Sequence, residues 1–233
     1  MPAKERPYVV CHMGPSVDGR IVVDKWKLDF SAVTAAYEGA AEQLGADAWI
    51  IGRVSMEPYA GKSKVPKRRR PVAKIPRADF VADPKATSFA IAVDPSGKLT
   101  WRKSEIDGEH IISVLTEKVS DDYLAFLQNR GVSYVFAGKK DIDLLLALRK
   151  LRALFGVERL LLEGGGAING SFLDAGLIDE LSIVIMPIAD GSIGTPTLFD
   201  APKATGRGRP LKLLTHEIRP GGVVWLRYTF IAK

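Results

Sequence analysis

Short apolar segments alternate with amphipathic segments along most of the chain. Apolar runs bounded by glycine, proline or aspartate are typical of buried strands. They predict strands at 7–13, 46–51, 88–93, 110–115, 132–137, 157–162 and 180–187. The segments between them have helical periodicity and start or stop signals. They predict helices at 31–44 (with Ser31 as N-cap), 120–129, 141–155 and 167–175.

The C-terminal region has a different pattern. Two strand-like segments, 210–218 and 223–231, flank the turn sequence Arg219–Gly222 and predict an antiparallel hairpin. Strands joined by helices need crossover connections, so the remaining sheet should be mostly parallel. No repeat or linker divides the sequence. We predict a single α/β domain over 1–233, with a mixed, mostly parallel sheet flanked by helices and a C-terminal hairpin.

The composition is that of an ordinary globular protein. The 233 residues are 46% hydrophobic and 26% charged, and Cys11 is the only cysteine. These values exclude a disordered chain and a disulfide-stabilised scaffold. The apolar runs are shorter than the roughly 18–20 residues that span a bilayer, and the charged N-terminus does not resemble a signal peptide. We expect a cytoplasmic protein with no membrane partner.

Most of the excess positive charge lies in one segment. The net charge is +6, and Lys62–Arg70 contains six basic residues. This segment belongs to a proline-rich stretch, about 61–86, that predicts a loop. A solvated loop is favoured, and a contact with an anionic ligand is the alternative. Nucleic acid is not the expected partner, because few aromatic residues accompany the basic ones.

The strongest candidate for ligand binding follows the strand predicted at 157–162. Three glycines, Gly164–Gly166, open the next helix, so backbone N–H groups could approach a phosphate. The segment is not the dinucleotide fingerprint, because Asn169 holds its third glycine position. A tight strand–helix turn is the alternative explanation. Glu163 favours a function, because a carboxylate at a buried strand end needs a partner or a ligand.

Three other strand ends hold weaker candidates, at the sheet edge where α/β proteins bind ligands. Ser16 and Asp18 follow the first strand, although Asp18–Gly19 is also an ordinary turn pair. Arg53 could bind a phosphate, and Ser55 could cap the next helix. The candidates after the second and fourth strands are Gly52, Arg53, Ser55, Leu115 and Thr116.

The remaining reactive residue types suggest no further chemistry. His12, His110 and His216 lack the spacing of metal ligands, so no metal is predicted. Cys11 lies in a predicted strand and is expected to be a small core residue.

Four motifs occur in the order found in a known family. They are Ser16–Ile21, Gly45–Arg53, Glu163–Leu173 and Ala175–Leu181. Together they resemble the reductase domain of riboflavin biosynthesis, the C-terminal part of bifunctional deaminase-reductases, which has a dihydrofolate reductase-like fold. The resemblance covers about 7–230. It implies a homodimeric, NADPH-dependent reductase that transfers a hydride to the ribosylamino group of 5-amino-6-(5-phosphoribosylamino)uracil.

The resemblance also implies roles for individual residues. Ser16, Asp18 and Glu163 would face the substrate, with Asp18 as the first candidate for polarisation or proton transfer and Glu163 as the alternative. The positions that would contact the cofactor are Gly52, Arg53, Ser55, Leu115, Thr116, Gly164, Gly165, Gly166 and Ala167. Among these, the glycine segment would hold the pyrophosphate, and Leu115 and Thr116 would lie near the adenosine.

The sequence departs from the family pattern in a segment that helps to bind substrate, and an arginine common in the helix before the second strand is also missing, with Gln43 nearby. The segment 56–64 lacks the arginine that the family usually has after its Gly-Arg-x-Thr motif. The basic run Lys67–Arg70 could replace it. Two alternatives therefore stay open: a reductase of a dihydropterin or another conjugated imine, and a non-enzymatic binder of anions or nucleic acid that uses Lys62–Arg70.

Overall fold

The computed structural model describes residues 5–24, 26–28, 30–61, 74–200 and 208–231. The strands found in these ranges are β1 (Tyr8–Met13), β2 (Ala48–Gly52), β3 (Phe89–Val93), β4 (Glu105–Ile106), β5 (Glu109–Leu115), β6 (Ser133–Phe136), β7 (Arg159–Leu162), β8 (Glu180–Ile185), β9 (Leu211–Arg219) and β10 (Val223–Phe230). The helices are α1 (Phe30–Leu44), α2 (Arg53–Met56), α3 (Asp121–Arg130), α4 (Leu144–Phe155) and α5 (Gly166–Asp174).

Two compact units account for the described chain. The first contains residues from Met1–Pro7 and Asp47–Glu158, and the second contains residues from Tyr8–Ala46 and Arg159–Lys233. Each unit has strands and helices of its own. The expectation of one domain over 1–233 stays a prediction.

The first unit is built on parallel strands in the order β2-β3-β5-β6. Strand β4 runs antiparallel to the start of β5. All five residues of β3 are buried, as expected for a strand whose two faces are covered. Helix α3 starts at the cap Ser120, which accepts a hydrogen bond from the Tyr123 N–H, and ends at Gly131 in the left-handed conformation.

The second unit contains the parallel strands β7-β1-β8, extended by two antiparallel strands. Strand β10 pairs with β8, and β9 pairs with β10 through a single 3₁₀ turn at Pro220–Gly222. The parallel order places the carboxyl ends of β7, β1 and β8 at one edge. Residues Glu163–Gly166, Gly14–Gly19 and Pro187–Gly191 follow these ends along the chain.

The predicted fold class is confirmed: the protein is α/β, its sheet strands are mostly parallel, and the C-terminal strands form an antiparallel hairpin. Two predicted helix caps are wrong. Helix α1 already includes Phe30, so Ser31 lies within its first turn. Helix α2 starts directly after Gly52, so Ser55 lies inside the helix and cannot cap it.

Of the proline-rich stretch about 61–86, the structure describes Gly61, which forms a bridge with Thr100, and residues 74–86. Residues 74–86 form no helix or strand apart from a bridge between Phe80 and Tyr134. The ion pairs Arg77–Asp121 and Lys150–Asp79 join them to α3 and α4. The basic run Lys62–Arg70 lies outside the described residues. Within the described ranges, no helix has the length and apolar character needed to cross a membrane.

Candidate active site

The glycine segment joins β7 to α5 within the second unit. Gly164 has φ +95°, the peptide bond from Gly164 to Gly165 is cis, and Gly165 is the N-cap of α5. A glycine cap offers no side-chain acceptor to the N–H groups of the first helical turn. Gly165 is half-buried and Ala167 is exposed. The start of α5 therefore presents backbone, with its positive helix end, at the carboxyl edge of the sheet.

Packing within the unit accounts for two of the three glycines. A Cβ atom at Gly166 would lie 2.2 Å from the Thr197 carbonyl oxygen and 2.5 Å from Asp200 Oδ2. At Gly164 it would lie 3.0 Å from the terminal carbon of Met13, in addition to the positive φ. Gly165 has φ −68°, which any residue can adopt.

Glu163 stands directly before this segment and is half-buried. Its Oε1 accepts a hydrogen bond of 3.2 Å from the Tyr37 hydroxyl of α1. The sequence predicts that this carboxylate needs a partner, and Tyr37 is one. Tyr37 is not among the site residues that the sequence predicts. Its sequence signal is weak, because it is a single aromatic residue beside the alanine face of α1.

Asp18 is exposed, but its carboxylate accepts hydrogen bonds from two different loops. Oδ1 accepts hydrogen bonds from the Ser16 hydroxyl at 2.7 Å and the Asp190 N–H at 2.9 Å, and Oδ2 accepts one from the Gly191 N–H at 2.8 Å. The Asp190 N–H, the Ser16 hydroxyl and the Gly191 N–H hold the pKa of Asp18 well below its usual range. The carboxylate is charged at neutral pH and joins the loop after β1 to the loop after β8.

Ser16 is the inner member of this junction. It is buried, its N–H donates to the Arg20 carbonyl, and its Oγ accepts a bond of 2.9 Å from the Arg20 N–H. Its hydroxyl donates to Asp18. Ser16 therefore shapes the loop that carries Asp18, and its hydroxyl is already used inside the protein.

His12 lies under Tyr37 in the interior of the second unit. The two rings stack with centroids 4.2 Å apart. His12 Nδ1 is 3.0 Å from Ser182 Oγ, which accepts a 2.8 Å bond from Trp225 Nε1, and His12 Nε2 is 3.3 Å from the Tyr37 carbonyl oxygen. This chain fits a neutral imidazole with its proton on Nε2. Burial lowers the pKa of His12 to about 4.

In the first unit, Gly52, Arg53 and Ser55 mark the junction of β2 and α2. Gly52 ends the strand and is the cap of α2. Arg53 is half-exposed and forms an ion pair with Glu57 one helical turn later. An anion that binds Arg53 would therefore compete with Glu57 for the guanidinium.

Leu115 is the last residue of β5 in the first unit, Thr116 follows it, and both are fully buried. The Leu115 side chain belongs to the apolar core. The Thr116 hydroxyl donates to the Pro95 carbonyl oxygen at 2.7 Å. Neither side chain reaches the surface, so a ligand at this strand end would meet neighbouring residues or backbone.

The fold and the sequence have known relatives. The profile of the RibD C-terminal domain family matches residues 7–225. The pyrimidine reductase-like protein of Corynebacterium diphtheriae superposes with a TM-score of 0.70 at 17% identity, covering 100% of this chain and 96% of that one. For the riboflavin biosynthesis reductase of Saccharomyces cerevisiae the TM-score is 0.62 at 17% identity, covering 99% and 93%.

Two curated relatives carry the same functional name, 2,5-diamino-6-ribosylamino-4(3H)-pyrimidinone 5′-phosphate reductase. The protein of Methanothermobacter thermautotrophicus is 27% identical over 197 residues, 84% of each chain. The protein of Aquifex aeolicus is 24% identical over 227 residues, 91% of this chain and 89% of the relative. Because the family profile spans nearly the whole sequence, the chain belongs to the RibD C-terminal domain family.

Proposed function

We propose that this protein is an NADPH-dependent reductase of riboflavin biosynthesis, which converts the ribosylamino group of a 6-ribosylaminopyrimidine 5′-phosphate into a ribitylamino group. The observation that carries the proposal is the arrangement around α5. A half-buried carboxylate, Glu163, stands directly before a helix that opens with glycine at the carboxyl edge of the sheet. The membership of the RibD C-terminal domain family and the names of both curated relatives support it.

The residues of the glycine segment fit a phosphate-bearing cofactor. The first turn of α5 offers backbone N–H groups without a side-chain cap, at the positive end of the helix. When bound, NADPH supplies the hydride, and the protein orients it and excludes water. We assign Gly164, Gly165, Gly166 and Ala167 to the cofactor phosphates. The contacts by Gly52, Arg53, Ser55, Leu115 and Thr116 are also proposals.

Glu163 is the better of the two candidates for proton transfer. Hydride addition to the imine carbon of the substrate moves an electron pair onto the nitrogen, which must take up a proton, so a group that can exchange a proton must be near. Asp18 is poorly suited, because three hydrogen bonds stabilise its charged form. We propose that a carboxyl oxygen of Glu163 donates this proton to the substrate nitrogen. Asp18 and Ser16 shape the loop that faces the substrate.

We also propose a homodimer formed through β9. In the described part of the chain, β9 pairs only with β10, so its other edge offers free backbone groups. The strand carries exposed apolar side chains, at Leu211, Leu213, Leu214 and Ile218, the last with 84% of its surface accessible. An exposed apolar edge of this kind is typical of an interface. Sedimentation should give a dimer that Leu213→Lys and Ile218→Lys together convert to monomer.

Purified protein tests the function directly. NADPH consumption should depend on a ribosylaminopyrimidine 5′-phosphate; the 2,5-diamino-pyrimidinone is tested first and the 5-amino-uracil second. Glu163→Gln should lower kcat by about 10²-fold or more with NADPH affinity within about twofold, because it removes proton exchange and not binding. Glu42→Gln, on the exposed side of α1, is the matched control.

Other outcomes would change the proposal. Turnover of a dihydropterin with neither pyrimidine consumed would keep the reductase class and replace the substrate. Absence of NADPH binding would refute the reductase. Binding of anions or nucleic acid through Lys62–Arg70 stays a prediction from the sequence, since that segment lies outside the described residues.

A further inference from the structure

The Tyr37 hydroxyl lies between two acceptors in the second unit. Its oxygen is 3.2 Å from Glu163 Oε1 and also 3.2 Å from the His12 carbonyl oxygen. A phenol has one proton to donate, so it can serve only one of these acceptors at a time. Its oxygen can also accept a hydrogen bond.

The protonation state of Glu163 decides how the hydroxyl is used. When Glu163 is charged, its Oε1 can only accept, so Tyr37 donates to it. When Glu163 is protonated, the carboxyl O–H can donate to the Tyr37 oxygen, and Tyr37 then donates to the His12 carbonyl. Rotation of one hydroxyl therefore keeps a hydrogen bond to Glu163 in both states. The carboxyl group does not have to move when it gains or loses its proton.

Tyr37 itself is held rigidly. Its ring stacks on the His12 ring at 4.2 Å with an interplanar angle of 28°. His12 is in turn held by Ser182, which is bonded to Trp225. Because all of these side chains are buried or half-buried, the phenol oxygen has a fixed position from which to hold Glu163.

We propose that Tyr37 is a positioning residue, whose hydroxyl holds the Glu163 carboxyl group in place in both its protonated and its charged state during the reduction. This inference rests on the proposed reductase function, and in particular on proton exchange at Glu163. Tyr37 acts through Glu163 and is not assigned a contact with substrate or cofactor.

The first test compares two tyrosine variants in the same unit. Tyr37→Phe keeps the ring and its stack and removes only the hydroxyl. It should lower kcat by roughly 10- to 100-fold, the range expected for a lost charge-assisted hydrogen bond, with the KM for NADPH within about twofold. Tyr8→Phe is the matched control, because the Tyr8 hydroxyl donates to the Glu180 carboxylate at 3.3 Å, at the opposite end of β1. It should leave kcat within about twofold.

The second test separates positioning from a general structural role. In the Glu163→Gln background, Tyr37→Phe should change kcat by less than about twofold, because no proton exchange at residue 163 remains to be supported. An equal loss of kcat in both backgrounds would overturn the inference, because Tyr37 would then act independently of Glu163.

A third readout does not depend on turnover. The titration of Glu163 can be followed by NMR with labelled glutamate carboxyl groups and assigned with Glu163→Gln. Tyr37→Phe should raise its midpoint, because the charged form loses the stronger of the two hydrogen bonds. Cys11 and His12 of β1 stay neutral at neutral pH, because burial raises the pKa of the thiol and lowers that of the imidazole to about 4. The Arg219 guanidinium lies 4.3 Å from the Trp225 ring centroid.

The measurements distinguish a failure of the proposed reductase function from a failure of the inference about Tyr37. A wild-type protein that binds no NADPH and turns over none of the substrates refutes the proposed function, and the inference with it. Normal wild-type turnover with an unchanged Glu163 midpoint in Tyr37→Phe refutes the inference alone.

Discussion

Acid should destabilise this protein through His12, well above the pH at which carboxylates are protonated. His12 is fully buried, and its hydrogen bonds to Ser182 and the Tyr37 carbonyl fit a neutral ring with its proton on Nε2. Burial lowers its pKa from a usual 6.5 to about 4. The unfolded chain therefore binds a proton at His12 between these two values, and the folded chain does not.

The sign and the size of the effect follow from linkage. Because the unfolded state holds more protons at His12, the free energy of unfolding falls as the pH decreases from about 6.5 towards about 4. The whole interval corresponds to about 3 kcal/mol, since one pKa unit is worth about 1.4 kcal/mol. That is a large part of the roughly 5–15 kcal/mol that stabilises an ordinary domain.

Urea unfolding of wild type and His12→Gln at a series of pH values measures the effect. The wild type should lose about 2–3 kcal/mol more than the variant between neutral pH and the lower end of this interval. The charged Asp18 carboxylate also stabilises the folded protein. Folding lowers its pKa from 3.8, so this stabilisation is lost only as the pH falls below that value. If the free energy of unfolding changed with pH in the same way in both proteins, the conclusion that His12 is buried in its neutral form would be refuted.

Two other substitutions test the site in the second unit. Gly165→Val should weaken NADPH binding at least about tenfold, because a branched side chain blocks backbone approach to a phosphate; Gly208→Val, where a Cβ meets no atom within 4 Å, is the calorimetric control and should bind normally. Asp18→Asn should cut turnover by roughly 10²-fold and leave NADPH affinity nearly unchanged. In the proposed role of loop anchor, Asp18 exchanges no proton, so the remaining activity should keep the wild-type pH profile. A displaced pH profile in Asp18→Asn would instead make Asp18 the proton-transfer group.

The regular elements were predictable because their signals are local. Helix α3 has its N-cap at Ser120 and its left-handed end at Gly131. Serine is favoured at N-caps and glycine at left-handed helix ends, so both positions could be predicted from residue type. The errors also have local causes. Serine is common both at caps and within first turns, so Ser31 and Ser55 could not be placed from their type alone. Strand β4 was missed because it has only two residues, although Asp107 and Gly108, both with positive φ, form a typical hairpin turn.

The site was only partly predictable. Glu163 and the glycine segment are adjacent in the sequence, so their proximity could be predicted without knowledge of the fold. Tyr37 meets Glu163 only in the folded chain, because their hydrogen bond joins residues 126 positions apart in sequence. The same limit applies to Asp18, whose partners Asp190 and Gly191 are brought to it by the adjacent strands β1 and β8. These loop-joining hydrogen bonds of Asp18 could not be inferred from an Asp-Gly pair, and its role as an acid stays a prediction.

The fate of the hydride tests the central claim most directly. The protein would be incubated with the 2,5-diamino-6-ribosylaminopyrimidinone 5′-phosphate and NADPH carrying deuterium at the transferable position of the nicotinamide, and the product analysed by mass spectrometry and NMR. We predict an open ribityl chain with a single deuterium on the carbon bonded to the amino nitrogen, formed in step with NADP⁺. Recovery of the unreduced ribosyl compound, or of a reduced product without deuterium from the cofactor, would contradict the assignment.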